Sequence, residues 1–180
     1  MKGMVFTKFL EMVEEKFSMD VVDAIIEKSE VPSGGVYTAV GTYPHSEMVA
    51  LLQALEKEVS IPIPDLLKVY GKHLFGILAG GYPALMENIH SSRDLLLKLD
   101  GVIHVEVKKL YPDAELPRFE STELPDGRLQ MHYLSDRHME DLAEGLLSGC
   151  FEHFDEVVTM ERVPLEDGTV NFIIKYESPQ

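Results

Sequence analysis

The sequence predicts an α+β domain, with a helical N-terminal part and a C-terminal part that packs helices on a four-stranded antiparallel sheet. Three observations carry this prediction. Apolar residues recur at helical spacing through the first two thirds of the chain. Pro125-Asp126-Gly127 and Glu166-Asp167-Gly168 each separate two runs of strand character, as hairpin turns do. The 180 residues, 45% of them hydrophobic, suffice for one folded domain with a sizeable core. That domain is expected to span residues 1–180, with a helical part over about 1–62 and the sheet-containing part over about 63–180.

Val5, Phe6, Phe9, Leu10, Val13 and Phe17 mark a first helix. A second follows Ser18 and Asp20, buries Val21, Val22, Ile25 and Ile26, and is stopped by Pro32-Ser33-Gly34-Gly35. Ser46 is placed to cap a third helix carrying Val49, Leu52, Leu55 and Val59. Pro64 suits the first turn of a fourth, through Leu67, Tyr70, Leu74 and Leu78, with Gly80-Gly81 and Pro83 expected to interrupt it. A longer helix is expected from about Ser92 to Leu110, with Leu96, Leu99, Ile103, Val107 and Leu110 as its apolar stripe and Tyr111-Pro112 as its stop. Strands over 118–123 and 129–134 form one hairpin, and strands over 157–163 and 170–176 the other. A helix over about 137–154 lies between them.

The formal net charge is −15. Such a surface repels phosphate backbones and anionic lipid, which argues against nucleic-acid and membrane partners. No apolar run approaches the roughly 20 residues of a membrane helix. The opening Met1-Lys2-Gly3-Met4 carries no secretory or myristoylation pattern. The single cysteine, Cys150, excludes an internal disulfide and a cysteine-rich zinc site and reads as a small buried residue near a helix end. Cytoplasmic residence is the expectation. None of the seven histidines forms H-E-x-x-H, and neither a nucleophile elbow nor a phosphate loop occurs, so no enzyme is expected.

His104 lies beside the apolar stripe of the long helix, with Leu97, Gly101 and Tyr111 as its wheel neighbours. So placed, it can ligate haem iron or pack at a core edge against a carbonyl. Gly101 removes a side chain one turn earlier and offers room for a flat ligand. Tyr133, Ser135 and Arg137 alternate at a strand end and so share a side. Their phenol, hydroxyl and guanidinium suit two carboxylates, and equally suit an exposed strand end that caps a helix. Pro117 supplies a rigid apolar edge, or simply connects helix to strand.

His104 on a helix, Pro117 about a dozen residues later and the spaced Tyr133-x-Ser135-x-Arg137 together resemble the haem nitric oxide/oxygen binding (H-NOX) family, bacterial relatives of the haem domain of soluble guanylate cyclase. Met1-Lys2-Gly3 and Glu144-Gly145-Leu146-Leu147-x-Gly149 are similar too. The resemblance implies haem b (iron protoporphyrin IX) between the two parts, the N-terminal part distal and the sheet-containing part proximal. His104 would be the metal ligand, Tyr133, Ser135 and Arg137 would bind the propionates, and Pro117 would press on the porphyrin. Val5, Phe9, Leu74, Leu78, Leu142 and Leu146 would line the distal pocket. Oxygen-binding members carry tyrosine where this chain has Leu142. With no other distal donor expected, the resemblance implies a nitric oxide sensor that also binds carbon monoxide. It would signal to a separate protein, such as a histidine kinase or cyclic-dinucleotide enzyme, through release of the proximal histidine. The alternative is a non-haem interaction module acting through its acidic surface.

Overall fold

A computed structural model describes residues 1–177. The chain runs through α1 (Gly3–Lys16), α2 (Met19–Ser29), α3 (His45–Val59), α4 (Ile63–Gly81), α5 (Pro83–Met86) and α6 (Ser92–Lys98). A π turn (Leu99–Ile103) then leads into α7 (His104–Leu110), followed by β1 (Arg118–Glu123), β2 (Leu129–Leu134), α8 (Glu140–His153), β3 (Val158–Pro164) and β4 (Val170–Tyr176). The sheet has the order β1-β2-β4-β3, all antiparallel, so the two hairpins join through their inner strands. Gly127 and Gly168, both at φ +84°, make the left-handed turn residues that the two hairpins require.

Local signals set most element ends. Ser18 caps α2, its side chain accepting from the Val21 N–H. The third helix starts two residues earlier than a Ser46 cap implies: extended Pro44 precedes the first turn, and Ser46 falls inside it without capping. The glycine pair does not interrupt α4, which continues through Gly81. Tyr82 ends it, since the residue before a proline is driven out of helical geometry. The expected long helix divides at the π turn, where the His104 N–H reaches the carbonyl of Leu99 five residues back. The helix of the C-terminal part begins at Glu140, leaving Arg137 in the preceding loop, where His138 takes φ +49°.

Two buried clusters form. One gathers Phe6, Phe9, Met12, Ile25, Leu51 and Leu55 with Leu66, Leu67, Tyr70 and Leu74 of α4. The other gathers Leu95, Leu96, Phe119, Met131, Leu147, Phe151, Phe172 and Ile174. One face of α4 thus closes the first core. Its other flank meets α8 at very short range. A β-carbon on Gly145 would stand 2.2 Å from the Lys68 carbonyl oxygen, and one on Gly71 would stand 2.3 Å from that of Leu142. No described helix is long and apolar enough to cross a membrane.

Candidate functional site

A cavity of about 310 Å³ opens between the helical part and the α6–α7 segment. Its lining is mostly apolar. Val5 comes from α1, Leu74 and Leu78 from α4, and Leu142 and Leu146 from α8. Facing them are His104 and the whole expected stripe of Leu96, Leu99, Ile103, Val107 and Leu110. Pro117 and Phe119 close that side, and Tyr133, Ser135 and Arg137 gather in the same lining. Ten of the eleven residues singled out from sequence therefore share one cavity. Phe9 does not. It is fully buried in the first core, edge-on to the Tyr70 ring with centroids 5.3 Å apart. The cavity reaches only the first turn of α1, so Val5 borders it and Phe9, one turn on, packs inside.

His104 is held in a form suited to metal ligation. Its Nδ1–H donates to Asp100 Oδ1 at 2.8 Å, and a carboxylate can only accept here, which leaves the Nε2 lone pair free. Burial pushes the imidazole below its ordinary pKa, against the hydrogen bond and charge of Asp100, and Lys108 adds a smaller push in the same direction. The neutral imidazole that binds metal is thus the favoured form at neutral pH. Gly101 does not make the room expected of it: it is exposed, and a β-carbon there would meet nothing within 4 Å. Leu99, whose carbonyl accepts from the His104 N–H across the π turn, lines the cavity with His104.

At the polar end, Tyr133 is buried on β2, and burial raises its phenol pKa, so it remains a neutral donor. The Arg137 N–H donates to Ser135 Oγ at 3.3 Å, and its guanidinium reaches Glu115. A histidine with a free nitrogen, an apolar slot and a phenol–hydroxyl–guanidinium set match the parts of haem: iron, porphyrin and propionates.

Across residues 2–162 the chain matches the model of the family described as Haem-NO-binding. The chain belongs to that family. Among solved structures it is similar to the Fe(II) unliganded H-NOX protein from K. algicida, with 42% identity and a TM-score of 0.92 over 99% of this chain and 98% of that one. It is also similar to an H-NOX protein from S. oneidensis in the Fe(II)NO ligation state, with 29% identity and a TM-score of 0.91 over 99% and 100%. A curated relative is soluble guanylate cyclase gcy-35 of Caenorhabditis elegans, 23% identical over 140 residues. Those residues are 76% of this chain but 20% of the relative, so the chain spans about one fifth of that protein's length. The α+β fold of helices and one antiparallel sheet is the H-NOX fold, and the domain is a haem-binding gas-sensor domain.

Sequence reasoning missed three residues of this candidate site. Asp100 orients His104 from four residues back, a spacing visible on a helix but not singled out. Tyr82 and Tyr111 also line the cavity, with hydroxyl oxygens 2.8 Å apart. Each ends a helix before a proline, and the repeated Tyr-Pro pair was a legible signal. Tyr82 shows that leucine at position 142 does not leave the lining without hydroxyls, and its oxygen also lies 4.0 Å from Met4 Sδ. Either tyrosine hydroxyl can donate to the other at 2.8 Å.

Cys150 borders the cavity as well, with burial pushing its thiol up to about 12. At pH 8 almost none of it is thiolate, the nucleophilic form. Native protein is expected to resist a thiol-reactive dye over hours at pH 8 and to take up one equivalent at once when unfolded. Rapid labelling of the native protein would show that α8 opens.

Proposed function

We propose that this domain is a nitric oxide-selective sensor that holds haem b through His104 and signals to a separate protein when His104 is released. The observation that carries the reading is that Val5, Leu74, Leu78, Leu142 and Leu146, all apolar, line one cavity with His104. Haem, when bound, supplies the iron that takes up the gas. The chain's residues decide which gas stays. Bound oxygen gains from a distal donor, whereas nitric oxide and carbon monoxide depend on one far less. Leucine at 142 offers none. Tyr133, Ser135 and Arg137 take the cofactor's carboxylates, and Pro117 presses on its face. No C-x-x-C-H occurs, so attachment is non-covalent.

His104 opens α7, so freeing its imidazole unpins that helix from the cavity and changes the surface shown to a partner. A histidine kinase or a cyclic-dinucleotide enzyme suits a domain with no catalytic constellation of its own, and cytoplasmic residence suits the single buried thiol. Membership of a haem-binding family disfavours the haem-free interaction module. The test is an absorption spectrum of the ferrous protein under nitric oxide, carbon monoxide and air. Stable complexes are expected with the first two and none with oxygen. A persistent oxy spectrum overturns the selectivity.

Leu142→Tyr is expected to strengthen oxygen binding. A hydrogen bond to a charged acceptor contributes about 1.5–3 kcal/mol, or roughly ten- to hundredfold in affinity. Unchanged oxygen affinity in Leu142→Tyr, with unchanged carbon monoxide binding, would mean that position 142 does not face the gas.

A further inference from the structure

We propose that Glu115 is a positioning residue for haem binding: it holds the Arg137 guanidinium at the cavity and joins it to the segment that carries Pro117. The proposal rests on the haem reading of the cavity. Arg137 Nη1 donates to the Glu115 main-chain carbonyl at 2.9 Å, and Nη2 donates to Glu115 Oε2 at 2.6 Å. One residue thus grips the guanidinium fork twice. No other acceptor for that guanidinium is found among the described residues.

A guanidinium carries five N–H donors. Two go to Glu115, so three remain for a carboxylate. Lys2, the other lysine or arginine in the lining, has none to spare. Its ammonium is engaged by the Val40 carbonyl, Thr42 Oγ1 and the Asp113 carboxylate, three acceptor groups for three N–H donors. Arg137 is therefore the side-chain cation with free donors at this cavity, and its orientation decides how a carboxylate is met. An arginine has many rotamers, and fixing one before the ligand arrives removes an ordering cost from binding.

Glu115 could oppose binding instead, by competing for the guanidinium. Exposure decides between the two effects. The Glu115 side chain is 81% exposed, against 20% for Arg137. Water screens the charge of so open a carboxylate, while its directed hydrogen bond persists. Orientation therefore outweighs charge competition. The main-chain contact adds a second consequence. It fixes the chain two residues before Pro117, so the carboxylate clamp and the proline that presses on the ring move together.

The experiment measures haem loss from loaded wild type, Glu115→Ala and Glu115→Gln to excess apomyoglobin. Each protein is loaded with natural haem and, separately, with haem dimethyl ester. Glu115→Ala is expected to lose natural haem about two- to fivefold faster, the size of a partly exposed charged contact. Glu115→Gln keeps an oxygen that accepts from Nη2 and is expected to recover most of the difference. With the diester, which has no free carboxylates, all three should lose haem at one rate. Unchanged or slower loss of natural haem from Glu115→Ala overturns the proposal, and slower loss identifies Glu115 as a competitor. Equal acceleration with the diester also overturns it, since that marks general loosening. Wild type that takes up no haem would instead defeat the haem reading beneath it.

Discussion

Replacing His104 with glycine is expected to abolish histidine ligation of haem iron and to move the ferrous absorption spectrum, with added imidazole restoring it. The effect should be the largest of any single substitution on the site. His104 is the imidazole in the lining, and the Asp100 carboxylate occupies its Nδ1–H, so Nε2 is the one nitrogen left to bind. Burial keeps the ring neutral and ready to ligate. Glycine at the first position of α7 opens a hole of imidazole size beside the cavity, and free imidazole fits that hole. Glycine also costs the helix about 1 kcal/mol against alanine, which a far-UV dichroism melt separates from loss of ligation. The checks are the Soret band and the iron–histidine stretch in resonance Raman spectra. A His104→Gly protein with the wild-type spectrum would remove His104 as the ligand. With imidazole bound, the variant also tests signalling, since its haem is kept while α7 is untethered. Partner output matching that of unliganded wild type would show that the tether is not the switch.

Gly145→Ala is expected to lower stability by about 1–3 kcal/mol, the range for overpacked cores. For a domain of this size that is roughly 2–12 °C in melting temperature. The added β-carbon would stand 2.2 Å from the Lys68 carbonyl oxygen and 2.9 Å from the Lys68 α-carbon. Both are backbone atoms, so no rotamer change relieves the clash, and α4 and α8 must part. Leu142 and Leu146 on α8 and Leu74 and Leu78 on α4 line the cavity, so the same displacement should change carbon monoxide rebinding kinetics. Gly101→Ala is the control, because nothing lies within 4 Å of its β-carbon and the residue is exposed. A Gly145→Ala protein melting with wild type would show that the helices are not in backbone contact there.

The two glycines mark where sequence reading reaches its limit. Gly101 invited a steric role because it precedes His104 by about one α-helical turn. The π turn cancels that role by inserting a residue into the turn and rotating the glycine to solvent. Gly145 lay within a stretch noted only for its likeness to relatives, and nothing local reveals that Lys68 crosses it. The hairpins were legible to within a residue, since Asp-Gly turns and alternating strands are short-range signals. Phe9 packs in the first core whereas Val5 borders the cavity. A helical period assigns both to one face but cannot say where along that face a cavity ends and a core begins.

The sequence by itself determined the helix and strand periods, both hairpin turns, the α+β class and the candidate set of His104, Pro117, Tyr133, Ser135 and Arg137. The periods, turns and class rest on residue type and spacing within a few positions, where backbone sterics and apolar periodicity act, and the candidate set rests on the family resemblance that those residues carry. Tertiary structure decided the π turn at 99–103, the backbone crossing of α4 and α8, the Tyr82–Tyr111 hydroxyl pair and the double grip of Glu115 on Arg137. The reason is physical. Each of the latter three joins groups 22 to 77 residues apart in the chain, where contact depends on how elements pack. The π turn, though local, is not encoded by any repeating apolar pattern, and both Leu99 and His104 at its ends line the cavity.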